Sequence, residues 1–516
     1  RSTLFPYTTL FRSRSLGAEQ GFQAYAYTTE PAGIGEYIEN NHFASFYENG
    51  IHYAEQYYAP TPPYYFIREG DWSNPDNWKE GGLPTASTNV VIRANATIPS
   101  NCLAVAGAVM VDNGYTLTIE DGGQLVHSNA GLTATVKKDI IGVGVDVWQT
   151  ANDDWYFIAS PFVDDLTISS LSLGTFYDLY RFNGSTMMWE NAQNINHASD
   201  FATLINGTGY LFAKAVDFML SLTGELKPYN ETNGDNEVSV AAGWNLIGNP
   251  FVCNVYADRS FYKMNAEGSA IEAVENYAAN AIAPCTGIVI KASETGTVTF
   301  TKGAQQQQVN QGSIQIALTQ ATYTRSNAMI DNAIVSFNEG ATLPKFRFGD
   351  NAEIYIPQGN EDYAIAYSDK QGEMPICFKA TKNGEYTLSI IPEGVEMGYL
   401  HLIDNMTGAE IDLLQASSYN FKATTHDYES RFKLVFAANN EDGVSNSTNF
   451  AFFTNGRWVI TNAGDATLQV IDLNGRILSS ETINGSVSQT IDVASGVYML
   501  RLINGENVNV QKIVVR

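Results

Sequence analysis

Few side chains in this sequence have a type and spacing suited to chemistry. Six histidines (His42, His52, His127, His197, His401 and His426) stand singly, so none offers a metal-ligand pair or a base beside a nucleophile. The four cysteines, Cys102, Cys253, Cys285 and Cys377, show no Cys-x-x-Cys spacing, which argues against zinc. Cys253 and Cys285 alone are near enough in sequence to suggest a disulfide, and two buried thiols are an equal expectation. Cys285 lacks a neighbouring His, so a papain-like role is disfavoured. Asp153-Asp154, Asp164-Asp165 and Glu361-Asp362 are adjacent acids, and adjacent strand positions point to opposite faces. No such pair alone can flank a glycosidic bond. The acidic turn Asn233–Glu237 has the oxygen ligands Ca²⁺ takes, and no other cofactor is expected. Trp72, Trp78 and Trp189 are candidates for an aromatic platform that stacks on a glycan, whereas Trp155 and Trp244 read better as core. The His-Glu-x-x-His, Gly-x-Ser-x-Gly, P-loop and EF-hand patterns are absent. The segment is therefore expected to be non-catalytic, with no catalytic or metal residues.

The elements that position these residues are strands. Tyr (28) and Phe (26) dominate the aromatics, there are 43 Gly, and helix-like periodicity is scarce. No apolar run reaches the ~18 residues of a membrane-spanning helix. The formal charge is −26, from 29 basic and 55 acidic residues, and Ser447–Arg516 holds five of each. The excess acid thus lies wholly before residue 447, which argues against nucleic acid and anionic lipid as partners. Solubility outside the cell is the plain explanation.

The chain divides as follows. Residues 66–147 show turns such as Asn113-Gly114 and Asp121-Gly122 between very short apolar runs, which predicts a solenoid-like stack. An internal duplication comes next. Asp154–Asp165 (DWYFIASPFVDD) aligns with Gly243–Asn254 (GWNLIGNPFVCN) at an offset of 89, and later segments align at 85 and 78. Two copies of one β-module follow, at 148–236 and 237–304. Gln305–Gln308 marks a junction, and eight strand-like runs across 305–438 predict a β-sandwich. Residues 439–446 read as a linker. The expected fold is all-β: a solenoid-like unit and sandwich modules in series, ending in a small antiparallel β-sandwich at 447–516.

That last segment is the most telling. Asn455-Gly456, Asn474-Gly475, Asn484-Gly485 and Asn504-Gly505 separate strand-length runs, the strongest short-range hairpin signal. VIDLNGRIL, then IDV, then GVYMLRLINGE and QKIVV, resemble the type A C-terminal sorting domain of the type IX secretion system of Bacteroidota. The residues that carry the resemblance are Gly475, Arg476, Asp492, Gly496, Val497, Tyr498, Lys512, Ile513 and Val514. It implies a protein with a signal peptide that folds in the periplasm and is carried out by the translocon reading this domain. It also implies that the domain is cleaved, and that the passenger is joined to surface lipopolysaccharide or released. The module just upstream, around MGYLHLIDNMTGAEIDLL, is similar to one often found beside such domains.

Thr3–Ser13 (TLFPYTTLFRS) reads as the translation of a sequencing adapter, so residues 1–16 are excluded from fold reasoning. Residues 17–65 are aromatic and irregular and read as the remnant of an upstream region. The signal peptide is then expected to lie before this fragment. Two functions remain open: a structural or adhesive surface protein, or the stalk and tail of a secreted hydrolase. Carbohydrate binding is a third.

Overall fold

The structure is a computed structural model. It describes residues 62–148, 154–193, 200–231, 234–266, 268–303, 311–320, 329–439 and 450–515 apart from 455, 463 and 506. Of the preceding residues it gives only the backbone of three paired strands, Ala24–Tyr27, Phe43–Glu48 and Ile51–Gln56. The adapter-like residues, Gln305–Gln308 and most of the linker lie outside the described residues. Among the described residues regular structure is strand, broken only by single 3₁₀ turns.

Residues 64–126 coil as a parallel β-solenoid. Val90 pairs with Val109, Ala96 with Leu117 and Leu103 with Gln124, so each coil lies directly on the one before. Alternate residues point inward, and Ile92, Ile98, Ala104, Leu117, Ile119 and Leu125 form the core. Asparagines hold the corners. Asn89 and Asn95 accept from the Ala108 and Thr116 N–H groups of the next coil at 2.9 and 3.1 Å. Asn129 closes the last edge, accepting from the Val109 N–H at 2.8 Å and donating to the Val109 carbonyl at 2.9 Å.

The first coil would otherwise expose both a strand edge and the core. Trp72 and Trp78 plug it. Each is 2% exposed, their rings meet at 4.8 Å, and the Trp78 indole N–H donates to the Trp72 carbonyl at 2.8 Å. The Trp78 segment also bridges Phe66 antiparallel, covering the open edge. Neither ring is available to a glycan, which corrects the platform expectation: sealing a solenoid end demands large apolar surface.

The strand Thr133–Ile140 does two jobs. On one side it pairs in parallel with Leu117–Ile119, and on the other it pairs antiparallel along its full length with Phe218–Glu225. It is both the solenoid's final strand and the outer strand of the first repeat, so a boundary at 147/148 falls inside a unit. The second repeat has the equivalent pair, Glu237–Val240 with Gly296–Thr299.

Each repeat then contributes one four-stranded sheet, and the two share a strand order. The first runs Tyr156–Ala159, Gly209–Lys214, Tyr177–Asn183, Met188–Asn191; the second Gly243–Gly248, Gly287–Ala292, Phe261–Met264, Ile271–Val274. The copies meet around a local pseudo-twofold. Ile158 bridges Thr286 while its counterpart Ile247 bridges Thr208. The Ala159 N–H donates to the Cys285 carbonyl at 3.1 Å, and the Gly248 N–H to the Gly207 carbonyl at 2.9 Å. Gly268 lies against the Trp155 backbone, and Gly184 against that of Trp244. Cys285 even adopts the left-handed backbone (φ 55°) that Gly207 has in the other copy (φ 75°).

Eleven described strands between Ser313 and Ala438 form one sheet that curls so that its two halves face a common core. The four-stranded repeats pack on it through Trp244, Tyr262, Leu343, Phe346 and Ile365. Polar groups fasten the junction. The Asn332 side chain brackets the Ala273 backbone at 2.8 and 3.0 Å, and the Tyr262 hydroxyl donates to the Pro344 carbonyl at 2.9 Å. Trp189 belongs here too. It is half-buried, edge-on to Phe182 at 5.1 Å and to Phe348 at 6.3 Å, so it is no free platform either.

Cores are therefore shared rather than strung in series: one cluster runs from Phe66 in the solenoid to Cys285 in the second repeat. This also decides the cysteine question. All four thiols are free. Cys253 sits inside the second repeat with Phe251 and Val255, whereas Cys285 belongs to the solenoid-side cluster. Burial pushes both thiols up to about 12.

Candidate functional site

The residues marked by the secretion-tail resemblance lie in the C-terminal module. Its strands form two layers: Ala451–Thr454, Arg457–Ile460 and Val487–Gln489 in one, and Ile477–Asn484, Asp465–Ile471, Gly496–Asn504 and Asn507–Val515 in the other. Phe450, Trp458, Ile460, Leu468, Val470, Leu500, Leu502 and Ile513 fill the space between. Burial of each such side chain is worth roughly 1.5–3 kcal/mol, enough in sum to hold a small module.

Register gathers the marked residues. Met499 pairs with Ile471 on one side and with Lys512 on the other. The Gly475-Arg476 turn, Gly496-Val497-Tyr498 and Lys512-Ile513-Val514 therefore meet at one end of the four-stranded sheet, although they span forty positions of the sequence. The Asn484-Gly485 turn and the pairing of Asn504 with Asn507 lie at the other end.

Each position at that end has a physical reason. Gly475 has φ 81°, the left-handed conformation that favours glycine. Asp472, which the sequence reading passed over, ties the turn. Its Oδ1 accepts from the Asn474 and Arg476 N–H groups at 3.0 and 2.9 Å, and its Oδ2 meets the Arg476 guanidinium at 3.2 Å. The Arg476 N–H bond, chiefly, lowers the Asp472 carboxyl below its ordinary value. The signal was present as Asp-Leu-Asn-Gly, an acid poised to form an Asx turn.

Gly496 leaves room for a folded-back ring. A Cβ there would lie 3.3 Å from the Tyr498 ring, whose hydroxyl reaches over to donate to the Ala494 carbonyl at 2.8 Å. Asp492 is exposed at the tip of a three-residue turn closed by the Val493 N–H on the Ile491 carbonyl at 3.0 Å. Its apolar neighbours Ile491 and Val493 lean on the core. Ile513 is 2% exposed and is the inward member of the final triplet, while Lys512 and Val514 face out. With Val508 and Val510 they form an outward stripe along an edge strand. Leu473, at 71% exposure, extends apolar surface to the turn.

The module docks on the body by its other layer. Val459 and Phe452 cover Tyr399, Val435 and Ala437, and Thr454 donates to Glu373. At the marked end, Gly475, Arg476, Lys512 and Val514 are exposed.

Elsewhere, no group of three or more His, Cys, Asp and Glu residues is placed to hold a metal among the described residues. At the proposed Ca²⁺ turn, Asn233 lies outside them, and Asp235 accepts from Asn230 at 3.1 Å. No described helix is long and apolar enough to cross a membrane.

A β-rich body bearing a compact hairpin module, with its recognisable residues gathered at one end of a sheet, is the build of a cargo protein that carries an address. Comparison bears this out: residues 454–516 match the family described as the secretion system C-terminal sorting domain. The chain thus carries a type IX secretion sorting domain, a tail that directs export toward the cell surface or beyond through the secretion machinery. No curated protein matches the chain. Among solved structures it is similar to a "Biofilm associated protein - BSP domain", at 9% identity and a TM-score of 0.14, over 76% of this chain and 97% of that one. A likeness that weak carries no argument.

Proposed function

We propose that residues 62–439 form a non-catalytic structural or adhesive body, delivered outside the cell by the C-terminal module and there released or joined to lipopolysaccharide. The convergence of Gly475-Arg476, Gly496–Tyr498 and Lys512–Val514 on one end of the module's sheet carries the reading. Sequence-distant residues meet where a receptor can reach them, and the docked face is spent on the body. The body supports its part by how it uses polar groups. Two of its buried acids are engaged in framework contacts: Asp404 with Arg431 at 2.9 Å, and Glu275 with Ser336 at 2.5 Å. Shared cores suit a rigid spacer.

The test is cell fractionation of full chains carrying Arg476→Ala with Val514→Ala, or lacking Lys512–Arg516. Both should accumulate in the periplasm with the body folded, as read by protease resistance. Normal surface delivery of both would refute the address.

A further inference from the structure

We propose that Asp331 and Lys345 are joined by an intramolecular amide bond, a covalent brace between the strand Met329–Ser336 and the segment that follows Leu343–Pro344. The Lys345 Nζ stands 2.5 and 2.6 Å from the two carboxyl oxygens of Asp331. Both side chains are nearly sealed, at 2% exposure for Lys345 and 8% for Asp331. Apolar neighbours Ile330, Phe346 and Ala352 lie around them.

Among the ion pairs of the described residues, this one alone combines a primary amine, a carboxyl group and full burial. The other buried pair, Arg431 with Asp404, uses a guanidinium, which stays charged and is a poor nucleophile. Arg431 is also satisfied as a cation: it donates to the Lys422 carbonyl at 2.8 Å and lies 4.6 Å above the Phe421 ring. The remaining lysine pairs are solvent-accessible, down to Lys138–Asp121 at 19% and 27%, where water keeps both partners charged.

Burial is what changes the chemistry. Two charges removed from water carry a large desolvation cost, and transfer of one proton from the ammonium to the carboxylate cancels both charges. Burial pushes the Asp331 carboxyl upward, against the pull of Lys345 and two backbone N–H groups. Once that proton has moved, the Lys345 nitrogen adds through its lone pair to the Asp331 carboxyl carbon, forming the Nζ–Cγ bond. Backbone N–H groups of Ile354 and Asn332 donate to the carboxyl oxygens at 2.7 and 2.9 Å. They are placed to stabilise the negative charge that develops on oxygen. A Cγ–O bond breaks, and that oxygen leaves as water with one proton from the former acid and one from nitrogen. Ammonium plus carboxylate thus gives amide plus water, with no oxidant or co-reactant. A cavity of about 20 Å³ beside the pair is large enough for the leaving water.

Intact-mass spectrometry of the denatured full chain, with tryptic mapping, tests this. The expected mass is one water below that of the sequence. The map should hold a branched peptide joining Asp331 to Lys345, with no cleavage after Lys345. Lys345→Arg should restore the sequence mass and remove the branch. An unmodified wild-type mass with normal cleavage at Lys345 overturns the proposal and leaves a plain salt bridge. Loss of one water without the branch, as in a cyclic imide, overturns it equally. The wild-type measurement decides even where a variant fails to fold.

Discussion

Adding one methyl group at Gly248 tests the reciprocal contact between the repeats. Its backbone φ is ordinary, so alanine meets no conformational penalty there and the effect is steric. An alanine Cβ would lie 2.4 Å from the Ala159 Cβ and 2.8 Å from the Thr208 carbonyl oxygen, well inside contact distance. The strand cannot slide away, because Gly243–Gly248 is paired residue by residue with Gly287–Ala292. Overpacking of this kind costs about 1–3 kcal/mol, and the closeness of both atoms places Gly248→Ala at the upper end. Ala159 occupies the position equivalent to Gly248, so Ala159→Gly removes one of the two clashing groups. Alone it should cost about 1 kcal/mol, from a lost buried methyl and added chain entropy. Combined with Gly248→Ala it should recover about 1–2 kcal/mol, leaving the strain against Thr208. Urea unfolding of the full chain, followed by tryptophan fluorescence, reads this out because Trp155 and Trp244 flank the contact. The midpoint should fall for each single variant and partly return in the double, at constant slope. Additive losses, or a neutral Gly248→Ala, would refute the reciprocal geometry.

Further outcomes follow from other contacts. Gly496→Val should displace the Tyr498 ring and Tyr498→Phe should lose about 1 kcal/mol of hydrogen bonding; thermal melts of the module check both, and equal stability of all three proteins would count against the folded-back ring. Arg431→Ala should destabilise the curled sheet by about 3–5 kcal/mol, since it strands the buried Asp404 carboxylate, and chemical denaturation measures the loss. Burial raises the Asp404 carboxyl, but bonds from Arg431, Met406 and Tyr419 outweigh it and hold the group below its ordinary value. Its stabilisation is then complete above the unfolded value of ~3.9 and is lost as pH falls through the lower folded value. Acid titration of Asp404→Asn with Arg431→Met, against wild type, should therefore show a shallower loss at low pH. Cys253 and Cys285 should resist iodoacetamide in the native state and react on denaturation, as peptide mapping will show.

How legible all this was depended on the range of the interaction. Asn-Gly turns act over two residues, so the hairpins of the C-terminal module and the all-β class could be read directly. The duplication was visible because Trp155–Val163 and Trp244–Val252 keep their spacing. The pseudo-twofold was not, because Gly184 against Trp244 and Gly268 against Trp155 are contacts across tens of residues with no local mark. Thr133–Ile140 alternates like any solenoid strand, and nothing in it announces a second partner on its far side. Trp72 and Trp78 sit in a turn-rich stretch that resembles exposed loop, and only the need to seal the first coil turns them inward. For Cys253 and Cys285, nearness in sequence was a poor guide, because the two sides of one repeat serve different cores. At the sorting end the residues were identifiable singly, while their meeting place needed the register through Met499.

The strand Thr133–Ile140 has a consequence for how this molecule can be inherited. A recombination event that moved the repeats without the solenoid would strip Phe218–Glu225 of its partner and leave a bare, sticky margin. Moving the solenoid without the repeats would uncap its last coil. Shuffling that keeps both elements intact must therefore carry the two together.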